Sequence, residues 1–402
     1  MRPDGTWDWL GQTPAESVLI LAAGTLAFAA YYAREYRRWG VLSVGSWILG
    51  FDFYVKIVLM YPFALSPENI LAVGNDFPVI LSHLDQALHI TAAGVAAMAC
   101  GMVLSRATAA VPHDGWAPPL IDRLLDRLHD ALLRGWSGRA SVAAAFCLAA
   151  GSTLLLLALG FEPFKRDLAF ERPEVRPAYN LWSQLLPFAA MCLAARGLAL
   201  GSSGTVLLAV LVALAGALGG NRTVVVLTLA QIWVMWAMPA RRRGLLLPML
   251  GAAAVLGVAL AINAARGTTG IGADALDEFL YGNQLSDVRD FAWVLSGLRG
   301  EYYHGLTYLA GYLAFVPTAL LEFRYDMAFG RVSATLAGLN AANHAGLRTP
   351  LFGELYVNFA LPGVVLGGGL FGYVLGRILG WVARALDEAP GRRRHSPQFA
   401  VW

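Results

Sequence analysis

The chain has 402 residues, of which 57% are hydrophobic and 14% charged, with a formal net charge of +3. An ordinary soluble domain carries about 25% charged residues, so this composition excludes one and points to a polytopic membrane protein. The small basic excess excludes little, because in such proteins the placement of arginine and lysine counts for more than their sum.

Apolar segments of roughly the length of a hydrocarbon core fall at about 17–33, 41–65, 86–105, 140–161, 177–195, 203–221, 223–240, 244–265, 305–321 and 355–383. The expected fold is all-α, a single transmembrane domain over 1–402 with about ten apolar segments. The first segment is followed by "YYAREYRR" rather than by small residues, so a retained helix is expected, not a removed signal peptide. Cys100, Cys147 and Cys192 lie inside apolar segments and read as small buried hydrophobes, without disulfide or metal spacing.

Orientation follows from arginine. "REYRR" at 34–38, the linker 106–139 and "RRR" at 241–243 are expected on the cytoplasmic side. That puts the N-terminus and the loops 66–85, 162–176 and 266–304 outside. In 266–304, the largest outer loop, acidic residues outnumber basic ones. A further "RRR" at 392–394 conflicts with ten full crossings. The segment 305–321 is short and contains a proline, so it is the one expected to re-enter rather than cross. Within 106–139, "PLIDRLLDRLHDALLRGW" puts Ile121, Leu124, Leu125, Leu128 and Leu132 on one face, as an amphipathic anchor lying on the membrane does.

Polar residues at segment ends carry the functional signal. Asp52 and Lys56, four residues apart in an apolar run, read equally as a self-neutralising pair or a binding feature. "GGNRT" at 219–223 forms a tight outer turn that places Arg222 at the mouth of a helix pair, with Gly219 and Gly220 allowing close backbone approach. Arg266 ends the next segment on the same side. Two guanidinium groups facing one compartment suit a diphosphate. Arg289 and His304 flank the next amphipathic stretch, whose Glu301 reads as solvated. The loop 322–354, a second functional loop, and the residues just after it supply Asn343, His344, Arg348, Glu354, Tyr356 and Asn358. Glu354, entering an apolar run, has the setting of a general base and equally of a helix cap. The chain has no Asp-x-Asp, no phosphate loop of the G-x-x-x-x-G-K-[ST] kind and no H-E-x-x-H, so ATP, divalent metals and other cofactors are not indicated. Nothing suggests nucleic acid.

Taken in order, "GNRT" (220–223), "AARG" (264–267), "SDVRDFAWVL" (286–295), "HGLTYLAGYLAFVP" (304–317) and "GELYVNFALPGVVLGGGLFG" (353–372) resemble the oligosaccharide repeat unit polymerases, the O-antigen polymerase (Wzy-type) family. The resemblance covers most of the chain and lies in order and spacing more than in any strict motif. It implies a GT-C-like, metal-independent glycosyltransferase in the bacterial inner membrane, with its active site facing the periplasm. Donor and acceptor would be polyprenyl (undecaprenyl) diphosphate-linked oligosaccharides; whether a chain-length regulator binds stays open. Carried over position by position, Arg222, Arg266 and Arg289 match family arginines, and Glu354 matches the glutamate of the G-E motif. The implied roles are diphosphate binding for Arg222 and Arg266, with Arg289 or Arg348 assisting. Glu354 or His304 would activate the acceptor hydroxyl, and Asn343, His344, Tyr356 and Asn358 would contact substrate. The chain departs from the family where Ala360 replaces a usual glycine, so a helix break is expected at Pro362–Gly363 instead. The family commonly has a further apolar helix after the region that ends here at "SPQFAVW", so the final helix is expected to be missing or truncated. Two rivals share parts of this pattern: an O-antigen ligase, which transfers glycan once to lipid A-core, and a transporter or flippase for lipid-linked sugar.

Overall fold

The computed structural model describes residues 13–39, 48–66, 74–109, 139–163, 175–219, 222–237, 253–254, 257, 281, 285–313, 320–341 and 346–387. Its helices are α1 (Ala15–Trp39), α2 (Tyr61–Ala64), α3 (Phe77–Ala109), α4 (Arg139–Ala158), α5 (Arg176–Leu200), α6 (Ser203–Ala215), α7 (Arg222–Ala237), α8 (Asp287–Gly297), α9 (Leu306–Tyr312), α10 (Phe323–Asp326), α11 (Phe329–Leu336) and α12 (Leu351–Asp387). A π-helical stretch, Ile48–Leu59, precedes α2. There is no strand among the described residues.

Four helical stretches are long and apolar enough to cross a membrane: Ala15–Arg34, Gly74–Thr108, Ala178–Leu198 and Leu351–Gly380. Ala143–Ala158 and Ser203–Gly219 are shorter apolar helices. Ten crossings are thus more than the described helices supply. Large apolar side chains such as Leu26, Leu154, Leu366 and Leu370 point outward and are well exposed, the pattern of helices whose surroundings are lipid rather than water. The chain is a helical, membrane-embedded protein. Cys100 and Cys147 share this outward position and are not buried as expected, and all three cysteines are free.

Several boundaries differ from the sequence reading. The segment expected at 86–105 starts at Phe77, because Phe77, Ile80, Leu84, Ala87 and Leu88 continue one buried helical face through Ser82, His83 and Asp85. The segment 305–321 begins with α9, seven residues long and about 10 Å at 1.5 Å per residue. Residues 314–319, 244–252 and most of the amphipathic linker 106–139 lie outside the described residues.

The chain divides into two compact units: residues 1–33, 44–112 and 276–379, and residues 34–43, 113–275 and 380–402. In the second, α4, α5, α6 and α7 pack around Leu156, Tyr179, Trp182, Leu186, Leu193 and Val212. The α5–α6 corner is sharp because Gly201 takes a left-handed conformation (φ 66°) and the Ser202 hydroxyl accepts the Thr205 N–H. Gly219 sits directly under Trp182, where a Cβ would collide with the indole, and its carbonyl accepts the Tyr179 hydroxyl at 2.8 Å. The close packing at Gly219 is thus with the Trp182 and Tyr179 side chains.

In the first unit, α3 and α12 meet through glycine. A Cβ on Gly101 would strike the Gly369 carbonyl, one on Gly372 the Met98 carbonyl and one on Gly376 the Ser105 hydroxyl, while one on Gly368 would lie 2.8 Å from the Gly94 carbonyl. Positions 368, 372 and 376 recur every four residues, the small-residue stripe that lets helices in lipid approach backbone to backbone. The core beside this seam holds Tyr61, Ile80, Leu84, Leu88, Phe291 and Phe352.

Candidate functional site

The break in α12 organises the candidate site. Pro362 has no N–H, so the Asn358 carbonyl loses its helical donor, and the chain leaves helical geometry at Ala360 (φ 56°, ψ −157°). The break lies two residues before the expected Pro362–Gly363. It folds the helix back on itself: a Cβ on Gly363 would stand 3.1 Å from the Leu355 carbonyl, although eight residues of straight helix cover about 12 Å.

The freed carbonyls are taken up by the segment before α9. Tyr303 N–H donates to the Val357 carbonyl at 3.1 Å, and His304 N–H to the Asn358 carbonyl at 2.9 Å. Gly305 N–H donates to Asn358 Oδ1 at 3.0 Å. To reach these acceptors the chain turns through two left-handed residues, His304 (φ 48°) and Gly305 (φ 86°). Gly305 also packs against Phe359, whose ring stacks on Tyr308 with centroids 6.3 Å apart.

Asn358 is fully buried and uses its whole amide. Because Oδ1 accepts from a backbone N–H, Nδ2 must be the donor, and it donates to Thr307 Oγ1 at 2.7 Å and to the Glu354 carbonyl at 2.9 Å. Thr307 Oγ1 therefore accepts from Asn358, and its own proton goes to Glu354 Oε1 at 2.8 Å. The result is a directed chain from amide to hydroxyl to carboxylate. Among the described residues Glu354 Oε2 has no hydrogen-bond donor, and the Glu354 side chain is only partly buried. The Tyr308 hydroxyl, buried and without a hydrogen-bond partner among the described residues, lies in the field of the same carboxylate.

Other expected residues fall around this centre. The Tyr356 ring meets Tyr302 and Phe291 edge-on, with centroids 6.0 and 6.4 Å away. His304 has an exposed ring, and it joins the site through its backbone. Glu301 is exposed, as expected.

Arg289 has a different setting from the one expected. It is 3% exposed, with Nε and Nη2 donating to Asp290 Oδ1 at 3.3 and 3.1 Å and Nη1 to the Tyr281 carbonyl at 3.0 Å. Asp290 Oδ2 accepts from the Ser286 hydroxyl at 2.8 Å and from Arg348 N–H at 3.3 Å. Burial pushes the Asp290 carboxyl up from its ordinary range, opposed first by the Arg289 charge and then by these hydrogen bonds. Arg289 thus anchors the loop before α12, whereas the Arg348 side chain is exposed. Lys56, expected beside Asp52, has its Nζ 3.2 Å from Asp287 Oδ2. The Asp52 side chain lies outside the described residues.

Arg222 is the first residue of α7, with its side chain outside the described residues. Arg266, Asn343 and His344 lie outside them altogether.

The sequence reading missed Thr307, whose link to Glu354 spans 47 positions and leaves no local mark. It also missed Asp85, which accepts hydrogen bonds from Ser17 Oγ at 2.8 Å and from the Tyr61 hydroxyl. A signal for the Asn358 role was available in the four-residue spacing of Glu354, Asn358 and Pro362, which marks one helix face and the carbonyl that the proline frees.

Compared with known proteins, the chain matches no family model, no curated protein and no solved structure.

Proposed function

We propose that the protein is a glycosyltransferase that extends polyprenyl-diphosphate-linked oligosaccharides at the periplasmic face of a bacterial inner membrane. The observation that carries this reading is the Glu354 carboxylate, about one turn and a half before the break of a membrane-length helix, one oxygen held by Thr307 and the other without a hydrogen-bond donor among the described residues. In the proposed reaction an acceptor sugar hydroxyl attacks the anomeric carbon of the donor. Glu354 Oε2 takes the hydroxyl proton as the new glycosidic bond forms. The bond between the anomeric carbon and the diphosphate oxygen breaks, and polyprenyl diphosphate leaves with the bonding pair.

Thr307 and Asn358 act as positioning residues, fixing the carboxylate so that Oε2 alone meets the acceptor. The energy comes from the glycosyl diphosphate bond itself. Arg222 and Arg266 enter the reading from the sequence alone, as ligands that neutralise the departing diphosphate. Arg289 is left out of that task because its donors serve Asp290 and Tyr281.

The test is reconstitution of the full chain in vesicles with polyprenyl-diphosphate-linked oligosaccharide. A ladder of lengthening products with release of polyprenyl diphosphate is expected. A single transfer to added lipid A-core identifies a ligase instead, and movement of the lipid-linked glycan across the bilayer without new glycosidic bonds identifies a transporter.

A further inference from the structure

Beside the broken helix a cleft of about 330 Å³ is lined by Gly297, Arg299, Glu301, Tyr302, Tyr303 and Leu336. Its wall is rigid where Gly297, at the end of α8, lies so close to the Leu336 carbonyl that any Cβ would collide with it. Its floor is tied to α12 twice, by the Tyr303 N–H bond to the Val357 carbonyl and by the edge-on contact of Tyr302 with Tyr356. Small-molecule pockets run from about 300 to 1,000 Å³, so this one holds a sugar ring or slightly more, not an extended chain.

Its chemistry is selective. One guanidinium and one carboxylate, both exposed, leave the cleft close to neutral, so it has no preference for a phosphate, which Glu301 would repel. Paired with two phenols, these groups suit a neutral polyhydroxyl ligand. Carboxylate and guanidinium offer strong acceptors and donors to neighbouring hydroxyls, and tyrosine rings present electron-rich faces to the C–H side of a pyranose. Burial and the Glu301 charge both push the Tyr303 phenol up, keeping it a donor at neutral pH.

We propose that this cleft is a saccharide subsite that holds a neutral sugar of the glycan next to the Glu354 site. The inference rests on the glycan-transfer reading of that site. Two steps connect them in the chain: Tyr303 is followed by His304 and Gly305, which bond to Asn358, and then by Thr307, which holds Glu354. Occupancy of the cleft and the placement of the carboxylate therefore share one short backbone segment.

The probe is the free oligosaccharide released by mild acid from polyprenyl diphosphate in the host's own membranes. Its contact with the purified full-length protein is read by saturation-transfer NMR. The wild type is expected to give a signal on the sugar ring protons. Arg299→Ala/Glu301→Ala, changing only exposed side chains, is expected to weaken binding by about tenfold for each charge-assisted hydrogen bond lost. Glu354→Gln is expected to keep the signal while losing transfer. No signal from the wild type, or equal binding by the double variant, overturns the cleft assignment and leaves the role of Glu354 standing. Full transfer by Glu354→Gln with a normal sugar signal overturns the role of Glu354 and leaves the cleft assignment standing.

Discussion

Replacing Asn358 by leucine keeps side-chain volume and removes both hydrogen bonds by which this side chain holds the 303–307 segment, together with its bond inside α12. The amide makes three: from Gly305 N–H, to Thr307 Oγ1 and to the Glu354 carbonyl. Asn358 is fully buried and Thr307 is 2% exposed, so water cannot fully replace the lost partners. Each buried polar group left unsatisfied costs about 1–3 kcal/mol. Partial relaxation makes the sum smaller than three full penalties, so the expected loss is about 3–5 kcal/mol. Hydrogen exchange on the purified protein reads it residue by residue. The amides of Tyr303, His304 and Gly305 are expected to lose protection together, while those of α3 keep theirs. Thr307, no longer obliged to accept from Asn358, can turn its proton away from Glu354, so transfer falls as well. Unchanged protection at 303–305 in Asn358→Leu would refute the argument that this amide holds the segment.

Other consequences follow from the same geometry. Arg289→Ala strands Asp290 in the interior and is expected to cost about 3–5 kcal/mol of stability, whereas Arg289→Met/Asp290→Leu recovers most of it. Thermal unfolding in detergent separates this structural effect from a loss of ligand binding. Ala360 occupies a conformation natural to glycine, so Ala360→Gly relieves strain of about 1–3 kcal/mol, less a glycine entropy cost of about 1 kcal/mol, and raises the midpoint of the same unfolding curve. Gly372→Val drives a branched side chain into the Met98 backbone. It is expected to open the α3–α12 seam, read as faster protease cleavage of the folded protein.

The legibility of this chain depended on whether a signal was local. Helical content and the membrane-length segments follow from runs of apolar residues, and the glycine stripe at 368, 372 and 376 is visible in the four-residue repeat. Asp85, His83 and Ser82 obscured the start of α3 because three polar residues in four hide a buried face whose apolar members lie on the opposite side. Glu354 and Asn358 stood out as polar residues entering an apolar run. Their partners did not, since Thr307 reaches Glu354 from a distant segment and Lys56 finds Asp287 in another part of the chain. Arg289 and the adjacent Asp290 were conspicuous for their charge, but that the two pair in the interior shows only in three dimensions. The break of α12 was read at the proline, yet the strain falls at Ala360, because a proline disturbs the turn that precedes it.

The central claim is that Glu354 is the base that activates the acceptor hydroxyl. Glu354→Gln preserves the oxygen that accepts from Thr307 and removes only the ability to take a proton. The decisive measurement is the rate of glycan chain extension by this variant in vesicles, alongside its binding of the lipid-linked oligosaccharide. The account predicts unchanged binding and a rate lower by about 10²–10⁴-fold. Chain extension by Glu354→Gln at the wild-type rate would contradict it.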